Sequence, residues 1–174
     1  ELPDILITSA GTQINYGKTQ TLDRRWHRHL DFHWKPDLTR KAMDKGGMRG
    51  VELQDPECQS TYKISYLVDP EEGPSLAEVR RHLRRRGLQV KTMLSFGTYL
   101  DIVPVRGTPG QAIRFLLMRW GIPPDRLLVA GDSGNDHDML SGNTLGVVVG
   151  NYSPELESLR GNERVYFAEG SNAW

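Results

Sequence analysis

The 174-residue chain sets 22 basic against 22 acidic side chains, and a formal charge of zero leaves no overall field to draw nucleic acid or an anionic membrane. That length suits one domain, or one domain with a small insert, and can bury a sizeable core. One cysteine, Cys58, excludes an internal disulfide framework, and no apolar run has the length of a signal peptide or a membrane span, which points to a reducing cytoplasm. In chain order, Asp4-Ile5-Leu6-Ile7-Thr8 reads as a short buried strand. It ends in the turn-prone run Ser9-Ala10-Gly11-Thr12, as at the carboxyl edge of a parallel sheet.

From about Leu22 to Met93 the texture is more polar and mixed. An aromatic-rich helical stretch runs around Trp26 to Trp34, an alternating strand from Tyr62 to Leu67, a helix from Ser75 to Arg86 and a strand near Val90 to Leu94. After Tyr99 strands and helices alternate again. Leu100 to Val103 reads as a strand, and a helix opens at Thr108-Pro109-Gly110-Gln111 with Ile113, Leu116, Leu117 and Trp120 on one face. Thr108 suits the N-cap, Pro109 the first helical position, Gln111 the reciprocal capping place, and Gly121 the stop. Leu127 to Ala130, Met139 to Leu140, Leu145 to Val149 and Leu156 to Leu159 complete a βαβ rhythm, which predicts a mostly parallel sheet with helices on both faces and an α+β insert in the middle zone.

The run Leu127 to Asp136 carries the most chemistry. An apolar strand enters a glycine-containing turn that presents Asp132 and Asp136 four residues apart. Two carboxylates so placed can converge on Mg²⁺, a hard cation that takes one or two protein carboxylates and keeps its waters. Gly131 and Gly134 are expected to supply backbone angles that a side chain opposes. The competing structural reading is an N-capped helix, with Asp132 or Ser133 meeting free N–H groups and Asp136 complementing the dipole. Elsewhere the structural reading prevails. Leu76, Val79 and Leu83 mark a buried stripe, so the arginines of Arg80 to Arg86 cover a solvated helix face. His27, His29 and His33 lack an acidic or cysteine partner at ligand spacing, and Trp26, Phe32 and Trp34 read as core of the inserted zone.

These residues together resemble the haloacid-dehalogenase superfamily of phosphohydrolases, and within it the sucrose-phosphate phosphatase-like domain that ends many bacterial sucrose-phosphate synthases. The block Gly131-Asp132-Ser133-Gly134-Asn135-Asp136 carries the superfamily likeness, while Lys63-Ile64-Ser65 with Tyr166-Phe167-Ala168 narrows it to the sucrose-phosphate branch. Pro3 to Thr12, Asp101 to Arg106 and Gly142 to Val149 are similar too. The resemblance implies an α/β fold: a Rossmann-like parallel-sheet core in segments 1–16 and 99–174, with an α+β cap inserted over 17–98. It also implies Mg²⁺ at Asp132 and Asp136, and sucrose 6-phosphate or a related sugar phosphate lying between core and cap, with Gln13, Lys63, Ser65 and Ser95 at the sugar-binding positions. Asp101 points to the same region, where it would anchor the hinge.

Departures from the family pattern bear on activity. The family's early Asp-x-Asp strand and threonine-glycine-arginine turn would precede Glu1, and the one Asp-x-Asp present, Asp136-His137-Asp138, belongs to the metal block. The core is therefore expected to lack its first strand and a closing helix. Pro109 stands where the family places a lysine beside the phosphate, and Arg106 is the candidate replacement. Gln13 stands where a glutamate is common. Two readings result. One is a fragment of a sucrose-phosphate synthase whose phosphatase-like domain has Asp136 as its candidate catalytic group and is inactive as this chain alone. The other is a non-catalytic sugar-phosphate-binding or regulatory module serving a fused glycosyltransferase that uses UDP-glucose and fructose 6-phosphate.

Overall fold

The computed structural model describes residues 3–44 and 48–170. Strand β1 (Ile5–Thr8) and strand β2 (Gln13–Tyr16) form a hairpin that a two-residue strand β3 (Thr21–Leu22) extends. Helix α1 (Arg24–Leu30) and helix α2 (Pro36–Asp44) follow, then β4 (Val51–Leu53), β5 (Ile64–Val68), α3 (Leu76–Arg85), β6 (Val90–Ser95) and β7 (Tyr99–Pro104). The chain closes with α4 (Pro109–Trp120), β8 (Leu128–Gly131), α5 (His137–Leu140), β9 (Leu145–Val148) and β10 (Val165–Phe167). Among the described residues no helix is long and apolar enough to cross a membrane.

Among the described residues three sheets result. The last three strands pair in parallel, in the order β10-β9-β8, as the βαβ rhythm predicts. The described helical segments cover one face of this sheet, where Val129, Leu140, Val148, Leu156 and Leu159 pack together. On the opposite face Leu128 and its cross-strand partner Leu145 are exposed, so helices do not flank both faces among the described residues. The reason lies in handedness: successive right-handed crossovers along a sheet growing in one direction deposit their connections on the same side.

Strand β1 corrects an expectation. It pairs antiparallel with β2, Ile5 opposite Tyr16, and all four of its residues are half-buried. The turn that returns the chain runs through Ser9 and Ala10, both at positive φ, and through Gly11, whose absent side chain lets it lie against the Thr108–Pro109 peptide. An apolar run of this length is read alike in parallel and antiparallel sheets, and only the neighbouring strand decides.

The middle zone forms the antiparallel sheet β4-β5-β7-β6. Strand β7 was assigned to the final zone by its sequence, yet it is bonded on both edges, to β5 (Ile64 opposite Ile102) and to β6 (Thr92 opposite Ile102). One face carries Ile64, Tyr66, Leu100 and Ile102 and lies under Val79 and Leu83 of α3, so the stripe inferred for that helix is buried. Of the arginines on its outer face, Arg80 reaches back to Thr92, its Nε donating to Oγ1 at 3.0 Å. Ser75 caps this helix reciprocally with Glu78.

The aromatic stretch also resolves differently from its sequence reading. It breaks into two helices at His33, which takes positive φ. Trp26 does not join the cap: it is fully buried with Ile14, Leu30, Ala112 and Leu116, and its Nε1 donates to Gly11 O at 3.1 Å. Phe32 is exposed and Trp34 is half-buried. An ion pair with a buried carboxylate secures this junction. Asp23 accepts from the amides of Arg25 and Trp26, from the Tyr16 hydroxyl at 2.6 Å and from Arg119 at 2.6 Å. Helix α4 begins and ends as its sequence specifies: the Thr108 hydroxyl accepts from Gln111 N, and Gly121 takes φ +63°. The reciprocal side-chain bond from Gln111 is not formed.

Candidate active site

The turn after β8 is organised by Asp136. Its Oδ2 accepts from the amides of Asp132 (3.0 Å) and Ser133 (3.3 Å), folding the side chain back over the strand end. The residue occupies the position before α5, yet it makes no side-chain cap to that helix, so the capping reading does not describe it. Ser133 instead donates to Asn135 Oδ1 at 2.7 Å. Burial pushes the Asp136 carboxyl above the usual carboxylate range and the Asp132 charge adds to it, while the two amide bonds pull the other way.

The glycines serve a purpose other than the one expected. Neither Gly131 nor Gly134 has positive φ. A Cβ on Gly131 would lie 2.5–2.6 Å from Asp136, and one on Gly134 would collide with the carbonyl of Leu94 on β6. Both are required for close approach, the first within the turn and the second between the turn and the cap.

The residue types fit Mg²⁺. Asp136 Oδ1 and the Asp132 carboxylate accept no protein hydrogen bond among the described residues, and no third His, Cys, Asp or Glu side chain completes a cluster there. A hard cation that retains waters suits such a pair. Asp138, next on the chain, faces away from this role: it receives the Thr108 hydroxyl and pairs with Arg114 at 3.1 Å, tying the start of α4 to α5.

A cavity of about 290 Å³ separates this turn from the cap. Ser133 and Asn135 line it from the turn; Lys63, Ser95, Tyr99 and Asp101 line it from the cap, with Gln54 and Cys58. Lys63 Nζ stands 3.5 Å from Asp101 Oδ1, and the Ser65 hydroxyl donates to the same oxygen at 2.6 Å. Ser65 is only 1 % exposed and does not line the cavity. The sequence gives Ser65 to the sugar and Asp101 to the hinge; in the structure the half-buried Asp101 lines the cavity and Ser65 lies behind it. The alternation of β5 and β7 explains this, because Ser65 and Asp101 are directly opposed on one face.

The remaining candidates lie elsewhere. Gln13 opens β2 and accepts from the Thr8 hydroxyl at 3.3 Å, outside the cavity lining. Arg106 stacks on Phe32, its guanidinium carbon 3.6 Å from the ring centre. Burial holds the His29 imidazole below its ordinary range, and the Arg106 charge lowers it further. Pro109 occupies the first turn of α4 against Gly11. Sequence reasoning missed Gln54, Phe96, Tyr99 and Asn135. Asn135 sits inside the recognised motif and was within reach; the others carry no spacing signal, since the cavity is assembled from separate strands.

A parallel sheet delivering a two-carboxylate turn beneath an inserted antiparallel cap is the architecture of haloacid-dehalogenase-like hydrolases. The family model for sucrose-6F-phosphate phosphohydrolase matches residues 2–174, and the chain belongs to that family. It is 33 % identical to probable sucrose-phosphatase 2 of Arabidopsis thaliana over 96 % of this chain and 42 % of that protein. Probable sucrose-phosphate synthase 2 of the same plant is 30 % identical over 91 % of this chain, which spans 17 % of it. Among solved structures, the sucrose-phosphatase of Synechocystis sp. PCC6803 in complex with sucrose and phosphate superposes with a TM-score of 0.91 at 32 % identity, covering 99 % of this chain and 70 % of that one. The chain thus spans less than half the length of the plant relatives it matches.

Proposed function

We propose that this chain forms the sugar-binding and metal-binding part of a Mg²⁺-dependent phosphatase that removes phosphate from sucrose 6-phosphate in the cytoplasm. The observation that carries the reading is one cavity shared by both kinds of chemistry. Ser133 and Asn135 of the carboxylate turn face the same space as Lys63, Ser95 and Asp101 of the cap. The paired Lys63 and Asp101 offer a donor and an acceptor to sugar hydroxyls, and Ser65 holds that acceptor in place. Asp132 and Asp136 would hold Mg²⁺, which supplies charge neutralisation at the transferring phosphoryl group. Asp136 keeps the turn in shape through the two amides it accepts.

The test is phosphate release from sucrose 6-phosphate with Mg²⁺ by the protein that carries this sequence. Release that disappears on Asp136→Asn supports the proposal, and tight sugar binding with no release rejects turnover. One observation favours a second reading, a sugar-phosphate-binding module serving a fused glycosyltransferase that uses UDP-glucose and fructose 6-phosphate. Pro109 offers no charge to phosphate, and the neighbouring cations are engaged: Arg106 stacks on Phe32 and Arg114 pairs with Asp138. Binding without release, combined with a change in glycosyltransferase rate on Lys63→Ala, would establish that module.

A further inference from the structure

The turn joining β6 to β7 passes through Phe96 at φ +53° and Gly97 at φ +67°, and Thr98 N donates to Ser95 O at 3.1 Å. Two successive left-handed residues make the mirror-image turn that suits a twisted hairpin, normally built from Asn-Gly or Asp-Gly. A phenylalanine at the first position is a backbone outlier, because its bulky side chain opposes positive φ and returns no local hydrogen bond. Packing does not account for it either. The Phe96 ring is 55 % exposed, and it lines the cavity between cap and metal turn.

The turn is also held in place from the core. Gly97 N donates to Glu155 Oε1 at 2.9 Å across the cap–core boundary. Gly134 meets the Leu94 carbonyl so closely that no side chain fits between them. The turn is therefore gripped on both sides of the residue that strains it, and strain kept in this way is concentrated where a surface is used. Tyr99, half-exposed, lines the same cavity, so two aromatic rings share it with the Lys63–Asp101 pair.

We infer that Phe96 is a sugar-stacking specificity residue, placed by its strained turn to receive the C–H face of a glycosyl ring whose hydroxyls meet Lys63 and Asp101. A sugar ring has a polar rim and an apolar face, and the negative face of an aromatic ring attracts its C–H groups. This inference rests on the sugar-phosphate reading of the cavity and adds the group that selects the sugar.

Sucrose titrated calorimetrically into the protein, with Mg²⁺ and inorganic phosphate present, tests it through Phe96→Gly and Phe96→Trp. Glycine relieves the backbone, so Phe96→Gly keeps or raises the melting temperature while sucrose affinity falls about five- to tenfold. Phosphate affinity stays unchanged, and Phe96→Trp retains sucrose binding. Sucrose bound as tightly by Phe96→Gly as by the wild type overturns the inference alone. An equal loss of phosphate affinity in Phe96→Gly also overturns it, by making the turn merely structural. A wild type that binds no sucrose overturns the sugar reading itself and this inference with it.

Discussion

The antiparallel cap sheet and the parallel sheet that ends in the carboxylate turn differ in how completely they are covered. In the cap, Ile64, Leu100 and Ile102 are fully buried beneath α3, and on the opposite face Asp101 lines the cleft with Ser65 buried behind it. In the parallel sheet, Val129 and Val148 are buried on one side, but Leu128 is 64 % exposed on the other. The cap wall of the cavity thus stands on a self-contained packing unit. The carboxylate turn stands on a sheet with one bare apolar face, and its placement depends on contacts with α5 and with the cap.

Substitutions should separate the two regions. Ile102→Ala is expected to lose about 4 kcal/mol of stability in urea unfolding, because it opens a cavity in the covered sheet. Next in size is Asp23→Ala, which removes the cap of α1 and leaves Tyr16 and Arg119 without their buried partner, at a cost of about 2–3 kcal/mol. Burial alone would raise the Asp23 carboxyl, but the Tyr16 hydroxyl, the two amides and Arg119 outweigh it and leave it below the ordinary range. Its contribution is therefore fully present above about pH 4 and is lost as pH falls through the depressed value, a slope that Asp23→Ala should abolish in acid titrations.

The carboxylate turn has the opposite sign. Because Asp136 is raised, its ionised form is penalised in the fold; whatever stability it gives is present when protonated and lost as pH rises through its raised value. Mg²⁺ needs the ionised form, so calorimetric affinity should fall on acidification, beginning above the ordinary carboxylate range. Asp136→Asn is expected to weaken Mg²⁺ binding by about tenfold or more while the metal-free melting temperature holds or rises. Glu155→Ala should cost about 1 kcal/mol and speed amide exchange at Gly97, with Glu155→Gln keeping the bond. Smallest of all, Leu128→Ala should stay within about 0.5 kcal/mol of wild type. A cost like that of Ile102→Ala would mean the bare face is covered in solution.

Much of this was readable along the chain because it rests on local chemistry. The helix opened by Thr108-Pro109 and closed by Gly121, the buried stripe of α3, and the strand running into Asp132 each need only neighbours a few residues away. The readings that changed all depend on partners far off in sequence. Trp26 looked like cap core until Ile14 and Leu116 closed around it, and β7 looked like a core strand until β5 and β6 took both its edges.

Sequence alone determined that Asp132 and Asp136 follow an apolar strand four residues apart, the polar face of β5 and the family likeness, since motif spacing and period-two alternation are properties of the chain itself. Only the tertiary structure decided that Asp101 rather than Ser65 faces the cavity, that the motif glycines exist to let Asp136 and the Leu94 carbonyl come close, and that Phe96 is bent into the cleft. Those outcomes are set by which surfaces meet, and long-range contact is what a linear pattern does not encode.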